Sequence, residues 1–205
     1  LNLFFGLQIY KELILKKCII FIFYSTPLMN QKFKYFFIGF VGLFFVAVGF
    51  YFWASSPNIS ATQYNDTGHY DYTINTPNDS VYSIITYNIG YLSGMTNNLP
   101  LERPKSLFDQ NLKTVIAELK KANAHIVAFQ EIDYNSKRSY YVNQQKEISK
   151  LGYPYYGQNI NWDKKYVPFP YYPFSLHFGK ILSGQSILSK YPVLEQERIA
   201  LQRNP

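Results

Sequence analysis

Two mostly apolar stretches of this chain end in polar side chains of the kinds that bind metal ions and phosphate groups. Residues 83–87 lead into Asn88, and residues 125–129 lead into Gln130 and Glu131. Ligands of α/β proteins gather beyond the carboxyl ends of strands. A single Glu at such a position suits Mg²⁺, which prefers oxygen ligands and keeps several waters. An Asn orients a phosphate, or a neighbouring catalytic group, through its side-chain amide.

A third segment completes an ordered set of motifs. Residues 183–192 read Ser-Gly-Gln-Ser-Ile-Leu-Ser-Lys-Tyr-Pro, after Thr86-Tyr87-Asn88 and Gln130-Glu131. In this order and spacing, the three segments resemble those of the endonuclease/exonuclease/phosphatase superfamily. The first strand of that superfamily ends in Thr-x-Asn, the second ends in Gln-Glu, and a later strand carries the Gly-x-Ser/Ala-Ile-Leu-Ser pattern.

The resemblance implies a fold, a cofactor and roles for two residues. The fold is a four-layer α/β sandwich of the DNase I-like type, built from two similar halves. Glu131 would bind the catalytic Mg²⁺, and Asn88 would contact the phosphate or the metal site. The second half of the family domain supplies a His, an Asp-x-Asn pair and an Asp-His pair. Neither pair follows Pro192, so we expect residues 80–205 to be a family domain truncated at its C-terminus and inactive as a fragment.

The residues around these motifs have simpler interpretations as well. Asn88, next to Gly90, is also a typical turn residue, and Glu131 is also compatible with a solvated strand end. Asp133 shares a strand face with Glu131 under the two-residue period, but a loop hydrogen bond is the favoured role for it. His125 opens its strand and is expected to be structural.

Further candidates follow the second motif. Lys137 and Arg138 are placed either to touch a phosphate or to form a solvated loop pair. His177 is a catalytic candidate that would line the cleft. It lies in an aromatic, Pro-rich segment, residues 162–178, that also contains Lys164 and Lys165. Such a segment suits a membrane surface or a stacked substrate, and packing over the sandwich edge is an equal alternative.

The elements that must position these residues alternate between strands and helices. This alternation predicts a layered α/β domain. The predicted helices run from an N-cap at Ser106 to a stop at Asn123, and from about Tyr141 to Leu151, closed by Gly152. The predicted strands are 81–89, 126–132, 185–189 and 193–201.

A separate apolar segment precedes this domain. Tyr35 to Trp53 is uncharged over 19 residues, close to the length that spans about 30 Å of hydrocarbon. We predict a transmembrane signal-anchor over 29–54, preceded by an upstream or non-native extension over 1–28 and followed by a linker over 55–79. A cleaved signal peptide ending near Ala54 is the alternative. Lys32 and Lys34 before the run predict that the C-terminal domain lies outside the cytoplasm.

Charge and cysteine content narrow the function. The net charge is +7, but residues 1–56 hold five Lys and one Glu, so most of the excess flanks the apolar run. This distribution disfavours a nucleic-acid-binding face on the domain. The single cysteine, Cys18, excludes an internal disulfide, which favours a bacterial envelope protein over a small secreted scaffold.

The combined interpretation is a membrane-anchored, Mg²⁺-dependent phosphoesterase. A lipid or small-molecule phosphate ester is favoured as substrate, and nucleic acid is the second choice. No obligate protein partner is inferred. The alternatives are a non-catalytic envelope binding protein on the same fold and an exported nuclease.

Overall fold

The computed structural model describes residues 30–72, 80–96 and 99–199. The chain divides into two compact units, residues 1–51 and 52–205. In the first unit the described residues belong to an apolar helix, α1 (Gln31–Ser55), whose last residues fall in the second unit. Helix α1 is long and apolar enough to cross a membrane. The extension predicted for 1–28 lies outside the described residues.

The second unit is built on one five-stranded sheet. Its spatial order is β1-β4-β5-β3-β2. Strands β2 and β3 are parallel and the other pairs are antiparallel. The strands are β1 (Asn65–His69), β2 (Ile84–Asn88), β3 (Ile126–Asp133), β4 (Tyr155–Val167) and β5 (Gly179–Ser189). This mixed α/β sheet confirms the predicted fold class.

Helix α2 (Lys105–Ala122) covers one face of the sheet and joins the two parallel strands. It buries Phe108, Val115 and Leu119, which recur at helical spacing as predicted. Asn123 ends the helix in the left-handed conformation, an ending that Asn tolerates. The predicted N-cap at Ser106 is wrong, because Pro104 holds the cap position, two residues earlier, and the helix begins at Lys105.

A short helix and the strand that follows it complete the core on the side of the sheet covered by α2. Helix α3 (Gln144–Ser149) begins at Asn143, whose side chain accepts the Lys146 N–H. The chain then turns at Gly152, where φ is +101°. The buried apolar cluster under α2 and α3 is formed by residues from all these elements: Ile89, Leu92, Phe108, Val115, Leu119, Ala124, Val127, Phe129, Ile132, Tyr134, Ile148, Tyr153, Ile160, Leu182 and Leu188.

Strand β1 lies inside the segment predicted to be a linker. Residues 65–69 pair with residues 155–159 of β4 at the sheet edge. Sequence patterning missed this strand because it pairs through its backbone and leaves most of its side chains exposed. The residues that precede β1 are held by Asp163, whose carboxylate accepts the Asn58 and Ile59 N–H groups at 2.8 and 3.1 Å. Residues 73–79 of the predicted linker lie outside the described residues.

The strand predictions near the C-terminus need two corrections. Part of the aromatic segment predicted as a loop is strand, because β4 continues to Val167 and pairs with β5 as far as Gly179. The strand predicted over 193–201 is absent from its described part, 193–199. Side-chain hydrogen bonds tie this stretch to β4 instead: Gln196 donates to the Gln158 carbonyl and Arg198 donates to Asn159.

Candidate active site

The parallel pairing of β2 and β3 brings the two motif residues to one edge of the sheet. Asn88 lies opposite Gln130 in the ladder, and Glu131 is the next residue. The Ile89 N–H donates to the Gln130 carbonyl at 3.0 Å, which extends the pairing past the strand end. The Gln130 side chain donates to Thr86 Oγ1 at 2.9 Å. Asn88 and Glu131 are therefore close together at the carboxyl edge of these two strands.

Glu131 occupies a break in the antiparallel ladder between β3 and β5. The register shifts between Phe129 and Ile132, and Glu131 adopts a φ of +53°. A positive φ is uncommon for residues other than Gly and recurs at functional sites. Bulges of this kind re-aim a side chain and are common next to active sites. Glu131 is partly exposed, whereas Asp133, two residues on, is fully buried.

Asn88 is exposed and belongs to a tight turn. Its Oδ1 accepts the Gly90 N–H at 3.0 Å. The simpler interpretation of Asn88 as a turn residue therefore accounts for the oxygen of its side-chain amide. The other half of the amide is an NH₂ group with two donors. Because the turn fixes the oxygen, the orientation of these donors is fixed as well, and phosphate oxygens are suitable acceptors for them.

Arg138 and Asp133 form a buried pair behind this edge. The guanidinium donates to Asp133 Oδ1 at 3.0 Å and to Oδ2 at 3.1 Å. The Asp133 side chain is fully buried and that of Arg138 is 7% exposed. Ser136 Oγ donates to the same carboxylate at 2.7 Å. The predicted hydrogen-bonding role of Asp133 is therefore observed, and Arg138 is neither a solvated residue nor an open phosphate contact.

Tyr91 packs against this pair. The Arg138 guanidinium lies 3.4 Å from the centre of the Tyr91 ring, within cation–π range. Burial raises the pKa of Tyr91, the Arg138 charge opposes the rise, and the Glu131 charge adds to it. Tyr91 is therefore a protonated hydroxyl at neutral pH that lies within electrostatic range of the candidate metal ligand.

An open cleft of about 600 Å³ borders Arg138, and neither Asn88 nor Glu131 belongs to its lining. Its wall includes the cationic side chains of Arg103, Lys137 and Arg138, together with Glu102 and His177. Burial, and then the neighbouring charge of Arg138, lower the pKa of Arg103. Arg103 also donates through Nη2 to the Leu99 carbonyl at 2.6 Å. The excess of positive charge makes the cleft suitable for an anionic ligand.

His177 lines this cleft, and both of its ring nitrogens face groups of the chain. Nδ1 lies 2.6 Å from the Tyr166 hydroxyl and Nε2 lies 3.5 Å from the Tyr171 carbonyl. Lys137 Nζ donates to the His177 carbonyl at 3.3 Å. These contacts hold the β4–β5 loop against the cleft wall. The catalytic role of His177 stays a prediction.

His125 lies at the opposite end of β3. Its Nδ1 is 3.0 Å from the Ser83 nitrogen and 2.9 Å from the Ser83 hydroxyl. These contacts are those of a structural residue that joins the starts of β2 and β3.

Sequence reasoning missed Tyr91 and Arg103 as site residues. Tyr91 is three residues after Asn88 and follows Gly90 directly. This closeness to the first motif was the sequence signal that could have marked it, and the structure places it in a 3₁₀ turn. Arg103 reaches the cleft from the segment before α2, where the sequence has no motif. Its contact with the site depends on chain packing that the local pattern does not record.

The donor set fits a hard divalent cation rather than a transition metal. No group of three or more His, Cys, Asp or Glu side chains is placed to hold a metal within the described ranges. Mg²⁺ needs no such cage, because it uses one or two carboxylates, waters and substrate phosphate oxygens. Glu131 supplies one carboxylate at the edge. The Oδ1 of Asn88 already accepts a backbone donor, which favours phosphate contact over metal ligation for this residue.

The sheet, its α2 connection and the polar carboxyl edge are consistent with a DNase I-like α/β domain. A family model described as "Endonuclease/Exonuclease/phosphatase family" matches residues 85–204. The match covers more than half of the chain, so this chain belongs to that family and the resemblance found in the sequence is confirmed. Enzymes of the family are generally hydrolases of phosphate esters. No curated protein and no solved structure matches the chain.

Proposed function

We propose that this protein hydrolyses a phosphate ester with Mg²⁺ at the outer face of a membrane. The observation that carries the proposal is the pairing of Asn88 with Gln130, which sets Asn88 beside Glu131 at the sheet edge. In this proposal Glu131 holds the cation and the Asn88 amide donates to a phosphate oxygen. The bound Mg²⁺ would stabilise negative charge on the phosphoryl oxygens.

The residues behind the edge position this pair. Arg138 holds Tyr91 from one side and Asp133 from the other, so the loop after β3 and the turn after β2 are fixed together. Groups held by packing and hydrogen bonds keep the geometry that catalysis requires. Lys137 and Arg103 in the cleft wall favour entry of an anionic substrate.

The membrane location is supported by α1. Its uncharged run, residues 35–53, is long enough to span the hydrocarbon, and Lys32 and Lys34 precede it. Residues 35–53 are exposed or partly exposed, unlike the core helix of a soluble domain. The positive flank favours a cytoplasmic N-terminal side and an external domain. A lipid or small-molecule phosphate ester is therefore the favoured substrate class.

Metal binding is testable on this chain directly. Tb³⁺ is a hard, oxygen-seeking ion whose luminescence is excited through nearby tyrosine rings. We expect luminescence that Mg²⁺ displaces, that is lost in Glu131→Ala, and that is weakened in Tyr91→Phe. Glu118→Ala is the matched control, because this exposed acid forms a surface ion pair with Lys121 on α2. Equal signals from wild type and Glu131→Ala would remove Glu131 from the metal site.

Hydrolysis is tested on the protein in membranes. A chromogenic phosphodiester and a phosphomonoester are supplied with Mg²⁺ or with chelator. We expect Mg²⁺-dependent hydrolysis that Glu131→Ala abolishes without loss of folding. Metal binding without hydrolysis would contradict the proposal and favour the non-catalytic binding protein. Preference for DNA over lipid esters would favour the exported nuclease.

A further inference from the structure

An exposed aromatic surface lies at one end of the sheet. The aromatic loop, residues 168–178, joins β4 to β5. Tyr171 and Tyr172 are 78% and 81% exposed, and Phe174 is 72% exposed. Single exposed apolar residues are common, but neighbouring rings on one short loop form a patch of the kind that marks an interaction site.

The loop presents these rings from a packed base. Phe178 is buried and contacts the Phe169 ring edge-to-face, with ring centres 5.4 Å apart. The Phe178 N–H also donates to the Phe169 carbonyl at 2.8 Å, which closes the loop. Phe174 contacts His177 at 5.4 Å. The exposed rings are therefore carried on an ordered support, so binding through them costs less conformational entropy than ordering a flexible loop.

The end of the apolar helix lies at the same end of β4. Trp53, the last residue of the uncharged run, stacks on Tyr166 with ring centres 6.2 Å apart. Lys164 Nζ donates to the Ser55 carbonyl at 2.7 Å, and the Lys165 N–H donates to the Ser56 carbonyl at 3.0 Å. Trp, Tyr and Lys are the residues that membrane–water boundaries favour. The chain that leaves α1 therefore contacts the strand that leads directly into the aromatic loop.

We propose that the aromatic loop seats its exposed rings in the headgroup region of the same bilayer that holds α1. This inference rests on the membrane location proposed above. The rings and the adjacent lysines match the composition of segments that lie in the bilayer interface. The end of α1 contacts the part of β4 that directly precedes the loop. The bilayer around α1 would therefore be within reach of the exposed rings.

This contact would turn the candidate site toward lipid headgroups. The β4–β5 ladder continues to Val167 and Gly179, four residues past the last β3 partner, Ser183. Four strand residues extend about 13 Å, which sets the distance along the sheet between the base of the loop and the carboxyl edge. Asn88 and Glu131 share this end of the sheet. The phosphate esters nearest to them would then be those of lipids in the same membrane.

Depth measurement on the full chain tests the proposal. In a Cys18→Ser background, Tyr171→Cys and Val81→Cys each receive a fluorescent label, and the protein is reconstituted in nanodiscs. Tyr171 and Val81 are equally exposed, at 78%, but Val81 precedes β2 at the opposite end of the sheet. With lipids that carry a nitroxide near the headgroup, we expect strong quenching at position 171 and little at position 81.

Two further arms separate the possible outcomes. Replacing Tyr172 and Phe174 with Ser should reduce the quenching at position 171 while alkaline extraction still leaves the protein in the membrane. Alkaline extraction tests only whether α1 anchors the chain in the membrane. Release of the protein by this treatment would contradict the proposed anchor, not the loop contact. Equal, weak quenching at positions 171 and 81 overturns the loop contact. So does a label at position 171 that responds to a soluble phosphodiester but not to the lipids, since the rings would then stack on substrate.

Discussion

Arg138 donates two hydrogen bonds to the carboxylate of Asp133, one to each oxygen, in a region from which water is excluded. The same guanidinium covers the ring of Tyr91 at 3.4 Å. Two loops on either side of the candidate metal ligand are thus joined by one side chain. We propose that this pair positions the segment that carries Glu131.

The first prediction concerns the stability of this pair. Asp133→Ala leaves the Arg138 charge buried without its carboxylate and should lower the free energy of unfolding by about 3–5 kcal/mol. Chemical unfolding in detergent measures the change. Glu118→Ala, which removes an exposed acid, should shift the midpoint very little. An Asp133→Ala protein as stable as wild type would mean that the pair does not hold the loops together.

The second prediction separates the two roles of Asn88. Asn88→Asp keeps an oxygen for the Gly90 N–H but replaces the amide donors with negative charge. We expect it to preserve the unfolding temperature and to lower turnover by roughly 10²–10³. Asn88→Ala should lower both quantities, because the turn is lost as well.

Asn143→Asp is the control for this exchange, because Asp also caps the start of α3 well. It should leave turnover and stability unchanged. If Asn88→Asp retained full turnover, the amide would not contact the phosphate, and Asn88 would be a turn residue only.

The sequence predicted the edge of the site but not its interior. Asn88 ends β2, and Glu131 follows the last β3 residue that pairs with β2, so the apolar patterns of two parallel strands were sufficient to place both at one edge. The bulge at Glu131 was not visible, because a register shift depends on the partner strand β5. Strand β1 was missed because edge pairing through the backbone requires no apolar pattern. The contact of Arg138 with Tyr91 joins residues from two distant loops, which no local spacing records.

The third prediction addresses His177. Because its Nδ1 contacts the Tyr166 hydroxyl at 2.6 Å, we expect the two residues to stabilise the β4–β5 loop as a unit. Tyr166→Phe and His177→Gln should each lower stability, and the double variant should fall short of their sum by about 0.5–3 kcal/mol. Turnover should change less than about tenfold in each. A loss of roughly 10²–10⁴ in His177→Gln alone would instead establish the catalytic role predicted from the sequence.

The fourth prediction is a loss of stability at alkaline pH. Burial raises the pKa of Tyr134, Tyr91 and Tyr153 above the usual value of 10.0. Above pH 10 the unfolded chain loses these protons before the folded protein does, so unfolding releases protons. Stability is therefore complete below pH 10 and declines as the pH rises toward the folded-state pKa values.

Thermal unfolding between about pH 8 and about pH 11 measures this slope. Tyr134→Phe removes one buried phenol, whose hydroxyl donates to the Gln185 carbonyl. It should cost about 1 kcal/mol at neutral pH and flatten the alkaline decline. An unfolding midpoint that does not change over this range would show that these phenols are not buried from water.

The last prediction concerns the orientation of the chain in the membrane. Five Lys and one Glu fall within residues 1–56, and the uncharged run from Tyr35 to Trp53 follows all of them. Positive charge on this side favours retention in the cytoplasm. A reporter that is active only in the cytoplasm, fused after Pro205, should therefore be silent, and one that is active only outside should work. Moving positive charge from Lys32 and Lys34 to the segment after Ser55 should weaken or reverse this pattern. Cytoplasmic reporter activity in the unaltered chain would contradict the proposed external domain, and with it the proposed outer-face substrate.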